Sequence, residues 1–379
     1  MTMLKPRLRP GVGAGIDEDG LLRLIFFSES RHVLFDAQPA VLDALRALEH
    51  GAERPELLSR VRARHERFGP EDLEEIIAAL DEEGALEDAA EAADELEPEE
   101  AERFARQIGF FYDMTDGTRH PRRAQRALRE SSAVVVGIGG TGTWVAQSLA
   151  MAGVGRLTLV DPDSVSRDNL TRQVLFGIDD VGRSKAEAAA ARLRAIAGPG
   201  LTVRSVPVGL TASSNLAALI DGADLVVNCA DEPDTNTTAG WIAAACMPHG
   251  IPHIVGGAYA GHVGLIGPTI LPFETACWTC FVREAAGRNR ADRVTPVFEH
   301  RTRHTGAIAP LSAIVANLQA WDAIRVLSGI DAPALTGRLG EFDLRSCELT
   351  WREVPRDPNC PDCGPQAAGR TLDRKHRDR

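Results

Sequence analysis

The six residues Gly137-Ile138-Gly139-Gly140-Thr141-Gly142 constrain this chain more than any other stretch. They follow an apolar run, Ala133 to Val136, and precede a helical pattern, Trp144 to Met151. Glycines in such a turn let the backbone approach a ligand, and the exposed N–H groups at the helix start face an anion. Leu157 to Val160 reads as the next strand, and Asp161 ends it about 20 residues after the turn, where a carboxylate accepts hydrogen bonds from ribose hydroxyls. Thr202 to Val206, Leu225 to Asn228 and Ile251 to Val255 are further candidate strands, separated by helical or turn-forming sequence. This alternation predicts an α/β domain built on a doubly wound, Rossmann-like, mostly parallel sheet. To this point a dinucleotide and ATP suit the turn equally.

The crossover after Asp161 discriminates between them. Asp168-Asn169-Leu170-Thr171-Arg172-Gln173 and Gly182-Arg183-Ser184-Lys185 put an amide, a guanidinium and an ammonium within one connection. Hydride transfer has little use for three phosphate-directed groups there. Nucleotidyl transfer needs them, because charge builds on the pyrophosphate leaving group and fixed donors stabilise it. Singly, Arg172 and Lys185 also read as exposed charges and Asp231 as a helix cap. In this order, after a strand, turn and helix, they read as a site.

The stretch Gly137 to Lys185, with Asn228-Cys229-Ala230-Asp231 downstream and Arg103-Phe104-Ala105-Arg106-Gln107-Ile108 upstream, resembles the ThiF/MoeB/HesA family of ubiquitin-activating-enzyme-like adenylyltransferases. The resemblance covers most of residues 100 to 365. It implies ATP-dependent activation of a carboxylate as an acyl adenylate. It also implies that Gly137, Gly139, Gly140 and Gly142 form the phosphate turn, that Asp161 holds the ribose, and that Asn169, Arg172 and Lys185 contact the phosphates. Asp231 would bind the bridging magnesium ion. Arg106 matches an arginine finger that reaches the neighbouring subunit's site, which makes the active unit a homodimer. Arg106, Arg172, Lys185 and Asp231 are thus the expected catalytic residues.

Cys277-Trp278-Thr279-Cys280 and Cys360-Pro361-Asp362-Cys363 are two close pairs in a chain too long for a disulfide scaffold. They fit a structural zinc site of four thiolates, and similar pairs occur at matching places in the family. Several family members pass the acyl group to a further cysteine. The comparable loop here, Glu299 to Thr305, has none; its His300 and His304, with Arg301 and Arg303, read equally as groups that position the nucleophile or the acyl carboxylate and as a solvated basic loop. Cys229, Cys246 and Cys347 are expected to be buried. Direct attack on the adenylate by an amine, amide or external sulfur donor is therefore expected. His249, His253 and His262 stand near turns and carry no reading beyond local structure.

Upstream, residues 17 to 88 read as a separate small winged-helix α+β module. Leu21 to Phe27 and His32 to Phe35 flank Ser28-Glu29-Ser30 as a hairpin. Three short helices follow, with Val41, Leu42, Leu45 and Leu48, then Leu57, Leu58 and Val61, then Leu73, Ile76, Ile77 and Leu80 as their apolar faces. This order resembles the PqqD-like element that binds leader peptides as an added strand. Residues 89 to 102 are an acidic linker or helix, 103 to 365 the adenylation domain, and 366 to 379 a charged, disordered tail.

A formal net charge of -12 argues against nucleic acid as a partner. No signal peptide or apolar run of about 18 residues is evident, so a cytoplasmic, membrane-free protein is expected. The resulting expectation is an enzyme, similar to those that build the microcin C7 nucleotide linkage and the pantocin bicycle, that adenylates a precursor peptide. The alternatives are an activator of a ubiquitin-like sulfur-carrier protein and a noncatalytic leader-binding adaptor.

Overall fold

The computed structural model describes residues 3–27, 29–91, 95–115, 120–288 and 306–365. The chain forms two compact units, Met1–Arg126 and Ala127–Arg379.

In the first unit, β1 (Pro6–Leu8) leads to β2 (Val12–Ile16), β3 (Leu21–Phe26) and β4 (Arg31–Asp36), which form an antiparallel sheet in the order β2-β3-β4. Alternation along β3 buries Leu22, Leu24 and Phe26, as a strand with one face on a core requires. Three helices cover that face: α1 (Pro39–Leu48), α2 (Arg54–Arg62) and α3 (Pro70–Glu82). Each carries proline in its first two positions, where the missing N–H would find no intrahelical partner anyway. Leu45, Leu48, Leu57, Val61, Leu73 and Leu80 meet β3 in one core. The chain returns through β5 (Leu86–Asp88), antiparallel to β1.

Two of these strands, β1 and β2, precede residue 17, where the hairpin pattern alone starts the module. Glycines at positions 11, 13 and 15 dilute the apolar alternation of β2 and conceal it from a reading of the sequence. After β5 come α4 (Pro98–Arg103), α5 (Ala105–Met114) and α6 (Pro121–Glu130), the last spanning the division between units. Leu96, Phe104, Ile108 and Tyr112 form a small core of their own, and Arg9 donates to the Tyr112 carbonyl at 2.6 Å. These contacts explain why the compact unit extends past residue 103 to Arg126. Within the acidic stretch, Glu95 receives Arg126 at 2.6 Å and Arg123 at 3.1 Å. Hydrogen bonding from Arg126 holds its carboxyl below the usual range.

The second unit opens with β6 (Ser132–Val136), α7 (Gly140–Ala152), β7 (Arg156–Val160), α8 (Lys185–Ala197), β8 (Thr202–Val206), α9 (Leu216–Ile220), β9 (Leu225–Asn228), α10 (Thr235–His249) and β10 (His253–Val255). After β11 (Tyr259–Ala260) and β12 (Val263–Ile266) comes β13 (Thr269–Ile270), antiparallel to β10. The six-stranded order β13-β10-β9-β6-β7-β8 is parallel except for β13. It is the expected α/β, mostly parallel sheet. Chain order reverses between β6 and β9, which opens a crevice at their carboxyl ends, the usual ligand position in such sheets.

Then follow α11 (Trp278–Arg288), α12 (Ala309–Ser328), β14 (Arg338–Asp343) and β15 (Glu348–Glu353). A second, antiparallel sheet, β11-β12-β14-β15, rests on α12. Its longer strands, β14 and β15, intersperse charged and polar residues with single apolar ones and give little continuous apolar signal in the sequence. Ser148 of α7 donates to Asn317 of α12 at 2.6 Å, while Ser312 lies beside Gly140. The two helices therefore run parallel, with their amino ends together. No helix among the described residues is long and apolar enough to cross a membrane.

Candidate active site

A cleft of about 310 Å³ lies at the carboxyl ends of β6, β7 and β9 and is lined by Gly137, Gly139, Asp161, Asp163, Lys185 and Asp231, among others. The glycine turn is shaped by close packing. Gly137 has φ of +83°, and a Cβ there would meet Ala230 N at 2.6 Å, while a Cβ on Gly142 would meet the Gly137 carbonyl oxygen at 1.8 Å. Only glycine suits both positions. The N-cap residue of α7, Gly139, offers no side-chain cap, so the first N–H groups of that helix remain available to a ligand.

Asp161 is buried, and its Oδ2 accepts from Ile138 N at 2.6 Å, its Oδ1 from Asp163 N at 2.9 Å. Burial raises its pKa, opposed by the charge of Lys185 and by these two hydrogen bonds. The carboxylate fixes the turn and keeps lone pairs for a hydroxyl donor. Lys185, 7% exposed, donates from Nζ to Asp163 Oδ2 at 2.7 Å. Asp231 is exposed at the cleft wall, a hard oxygen donor suited to a divalent cation such as magnesium.

Asn169 lies within a 3-10 helix, Arg167–Thr171, and Arg172 ends it; neither is among the cleft-lining residues. Asn169 accepts from Ser166 N at 3.1 Å, and Arg172 Nη1 donates to the Asp168 carbonyl at 3.0 Å. Arg172 Nε and Gln173 Oε1 are buried without a hydrogen-bond partner among the described residues. Gln173 Nε2 stands 4.0 Å from the Cβ position of Gly139, so this segment abuts the turn. Arg106 lies exposed on α5, in the first unit. Gly140 faces Tyr259 and Ser312 instead of the cleft lining. The sequence reading omitted Asp163, Gln173, Tyr259 and Ser312. The Asp161-Pro162-Asp163 repeat and the Gly256-Gly257 turn before Tyr259 were the available signals.

Cys277, Cys280, Cys360 and Cys363 are buried with their sulfurs within 4.8 Å of one another. Cys277 Sγ is 4.0 Å from Cys280 and 3.5 Å from Cys360, and Cys280 is 3.6 Å from Cys363. Four sulfurs about 2.3 Å from a tetrahedral zinc are spaced this way. Burial pushes the Cys277 thiol well up and that of Cys280 to about 11, whereas at Cys360 burial is outweighed by hydrogen bonds from the Asp362 and Cys363 amides and from Cys277, which hold that thiol below its ordinary value. Of the other cysteines, Cys246 is buried, Cys229 is half-buried, and Cys347, expected inside, is exposed between β14 and β15. The correction follows from its place in the tight β14–β15 connection, at φ of +60°, where no core lies above it. Burial and then Asp231 raise Cys229 to about 12, leaving it little thiolate. The loop Glu299 to Thr305, with His300 and His304, lies outside the described residues. His249 and His262 are exposed.

The first unit has a second cavity, about 780 Å³, between β4, α1 and α3. Phe35, Val41, Leu45, Phe68, Ile76 and Leu80 line it. β4 ends its sheet, so its outer edge is unpaired among the described residues.

The ThiF family model matches residues 104–364. The molybdopterin-synthase adenylyltransferase of Escherichia coli K12 is 34% identical over 275 residues, 71% of this chain and 99% of that protein. The sulfur carrier protein ThiS adenylyltransferase of the same organism is 34% identical over 264 residues, covering 69% and 94%. A crystal structure of Escherichia coli MccB with AMPCPP and MccA matches with a TM-score of 0.69 at 20% identity, covering 95% of this chain and 99% of that one. The chain therefore belongs to the ThiF family, and it is an ATP-dependent adenylyltransferase.

Proposed function

We propose that this enzyme adenylates a carboxylate of a ribosomally made precursor peptide, which its first unit holds as a PqqD-like recognition element. The groove beside β4 carries this reading: an open strand edge next to an apolar cavity suits an extended peptide that adds as a strand and buries alternate side chains. MccB, which shares the fold, has been crystallised with MccA.

In the reaction, one oxygen of the substrate carboxylate attacks the α-phosphorus of ATP. A P–O bond forms, the bond to the β-phosphate breaks, and pyrophosphate leaves with the electron pair, giving acyl-AMP. Asp161 holds the ribose, and the amides of Gly137 to Gly142 receive the phosphates. Asn169, Arg172 and Lys185 stabilise the charge on the leaving group, Lys185 exchanging Asp163 for it. Magnesium held by Asp231 would neutralise phosphate oxygens. Arg106 serves the site of a second copy in a homodimer, and zinc on the four cysteines is structural. A nucleophile on the peptide, or a second molecule, then displaces AMP. Cys229 lacks the thiolate character for a thioester step.

A second reading, activation of a sulfur-carrier protein, is favoured by the activities of the 34% identical relatives. Substrate-dependent exchange of labelled pyrophosphate into ATP separates the two. Exchange with small peptides encoded beside the gene, weakened by deleting residues 1 to 88 and abolished by Asp231→Ala, is the expected result. Exchange only with a carrier protein would replace the peptide reading.

A further inference from the structure

The parallel helices α7 and α12 bring their amino ends together, and two hydroxyls lie there. A Cβ built on Gly140, the first residue of α7, would sit 2.2 Å from Tyr259 Oη and 3.3 Å from Ser312 Oγ. Ser312, in the first turn of α12, is 0% exposed, and its Oγ is buried without a hydrogen-bond partner among the described residues. Leaving a buried hydroxyl unpaired is unfavourable, so this group suits a place where a ligand can pair it. Two helix amino ends add their positive ends to the same spot, and the chemistry that satisfies all of these donors is an anion.

We propose that Tyr259 and Ser312 hold the substrate's carboxylate for its attack on ATP. The inference rests on the acyl-adenylating reading above. Neither residue lines the cleft that holds Asp161, Lys185 and Asp231, so the hydroxyl pair marks a second anion position across the glycine turn from the nucleotide's. Acyl adenylation requires two: a carboxylate and a phosphoanhydride repel each other, and bringing them within attack distance is what the site must accomplish. Donors that hold the carboxylate without protonating it leave its oxygen nucleophilic. The electron pairs move as in the reaction above, and no proton is transferred. Gly140 follows from the same arrangement, since any side chain there displaces Tyr259.

The test uses full-length protein, Tyr259→Phe and Ser312→Ala, and pyrophosphate exchange with the peptide or carrier protein that gives the largest wild-type signal. Each variant is expected to raise the KM for that carboxylate substrate by about tenfold or more, the effect of losing a hydrogen bond to a charge, while the KM for ATP stays within about twofold. Titration with AMPCPP checks that both variants remain folded and bind nucleotide as wild type does. An equal or larger rise in the KM for ATP would assign the hydroxyls to the phosphates and overturn the proposal, as would unchanged KM values for both substrates. Wild-type protein that supports exchange with neither peptide nor carrier would remove the acyl-adenylating reading itself, and this proposal with it.

Discussion

Lys185 Nζ donates to Asp163 Oδ2 at 2.7 Å across the cleft beside the glycine turn, although the lysine is 7% exposed and the carboxylate side chain 61% exposed. The cleft's cation is thus held by a partner that solvent already weakens. A phosphate can take its place, because the Asp163 carboxylate gains back its solvent contacts when the lysine leaves it.

Removing the cation and removing its partner should therefore have opposite effects. Lys185→Met should lower kcat for pyrophosphate exchange by about 10²–10³, the usual effect of deleting one charge-stabilising donor. Asp163→Asn should lower the KM for ATP by up to about fivefold, because a competing acceptor is gone. Steady-state kinetics with ATP as the varied substrate decide, and equal losses in both variants would mean that the pair acts as a unit.

Two glycines of one turn should respond differently to alanine. At Gly142 the new Cβ would stand 1.8 Å from the Gly137 carbonyl oxygen, whereas at Gly139 the nearest group is Gln173 Nε2 at 4.0 Å. Gly142→Ala should lose about 1–3 kcal/mol of stability through forced backbone movement, seen as a Tm lower by several degrees. Gly139→Ala should melt near wild type but bind AMPCPP more weakly, since its methyl group enters the cleft.

The sheet and the glycine turn were legible because buried parallel strands write continuous apolar runs and the turn tolerates few residues. Ala133 to Val136 and Leu225 to Asn228 are of this kind. The second sheet was not, because Arg338 to Asp343 and Glu348 to Glu353 alternate polar residues with few apolar ones and are recognisable only once α12 is beneath them. Asp161 and Lys185 share a cleft as their spacing suggested. Tyr259 and Ser312 approach Gly140 from elements far away in the chain, and no local pattern encodes that meeting.

The four-cysteine cluster predicts one zinc per chain by elemental analysis of purified protein. Cys360→Ser should remove the metal and lower the Tm, because Cys277, Cys280 and Cys363 would keep three ligands around a site that takes four. Cys347→Ser should change neither quantity, since that thiol is exposed and apart from the cluster.

His253 gives stability a pH dependence of calculable sign. Burial lowers its pKa from 6.5 to about 4, against the Ile251 carbonyl that its Nδ1 faces. Between those values the unfolded chain binds a proton that the native protein does not. Stability is therefore complete above about pH 6.5 and falls as the pH drops towards 4, by about 1.4 kcal/mol per unit from this group. His253→Leu should flatten denaturant-derived stability over that window by about one proton. A slope unchanged from wild type would mean that the imidazole is protonated while folded.

Whether Arg106 acts on its own chain or on a second copy is decided by mixing two inactive variants. Arg106→Ala keeps the Asp231 carboxylate, and Asp231→Ala keeps the arginine. If each site takes its arginine from the partner of a two-fold dimer, an exchanged mixture contains about half mixed dimers, each with one intact site and one doubly defective site. About a quarter of wild-type exchange activity should then return. If the arginine serves its own chain, every site in every dimer carries one defect and nothing returns. Subunit exchange must be verified in the same mixture, by two differently tagged chains co-purifying, so that silence reports on the site and not on slow mixing. The exposed position of Arg106 on α5 leaves its guanidinium available to either chain, and the recovered fraction alone separates the two.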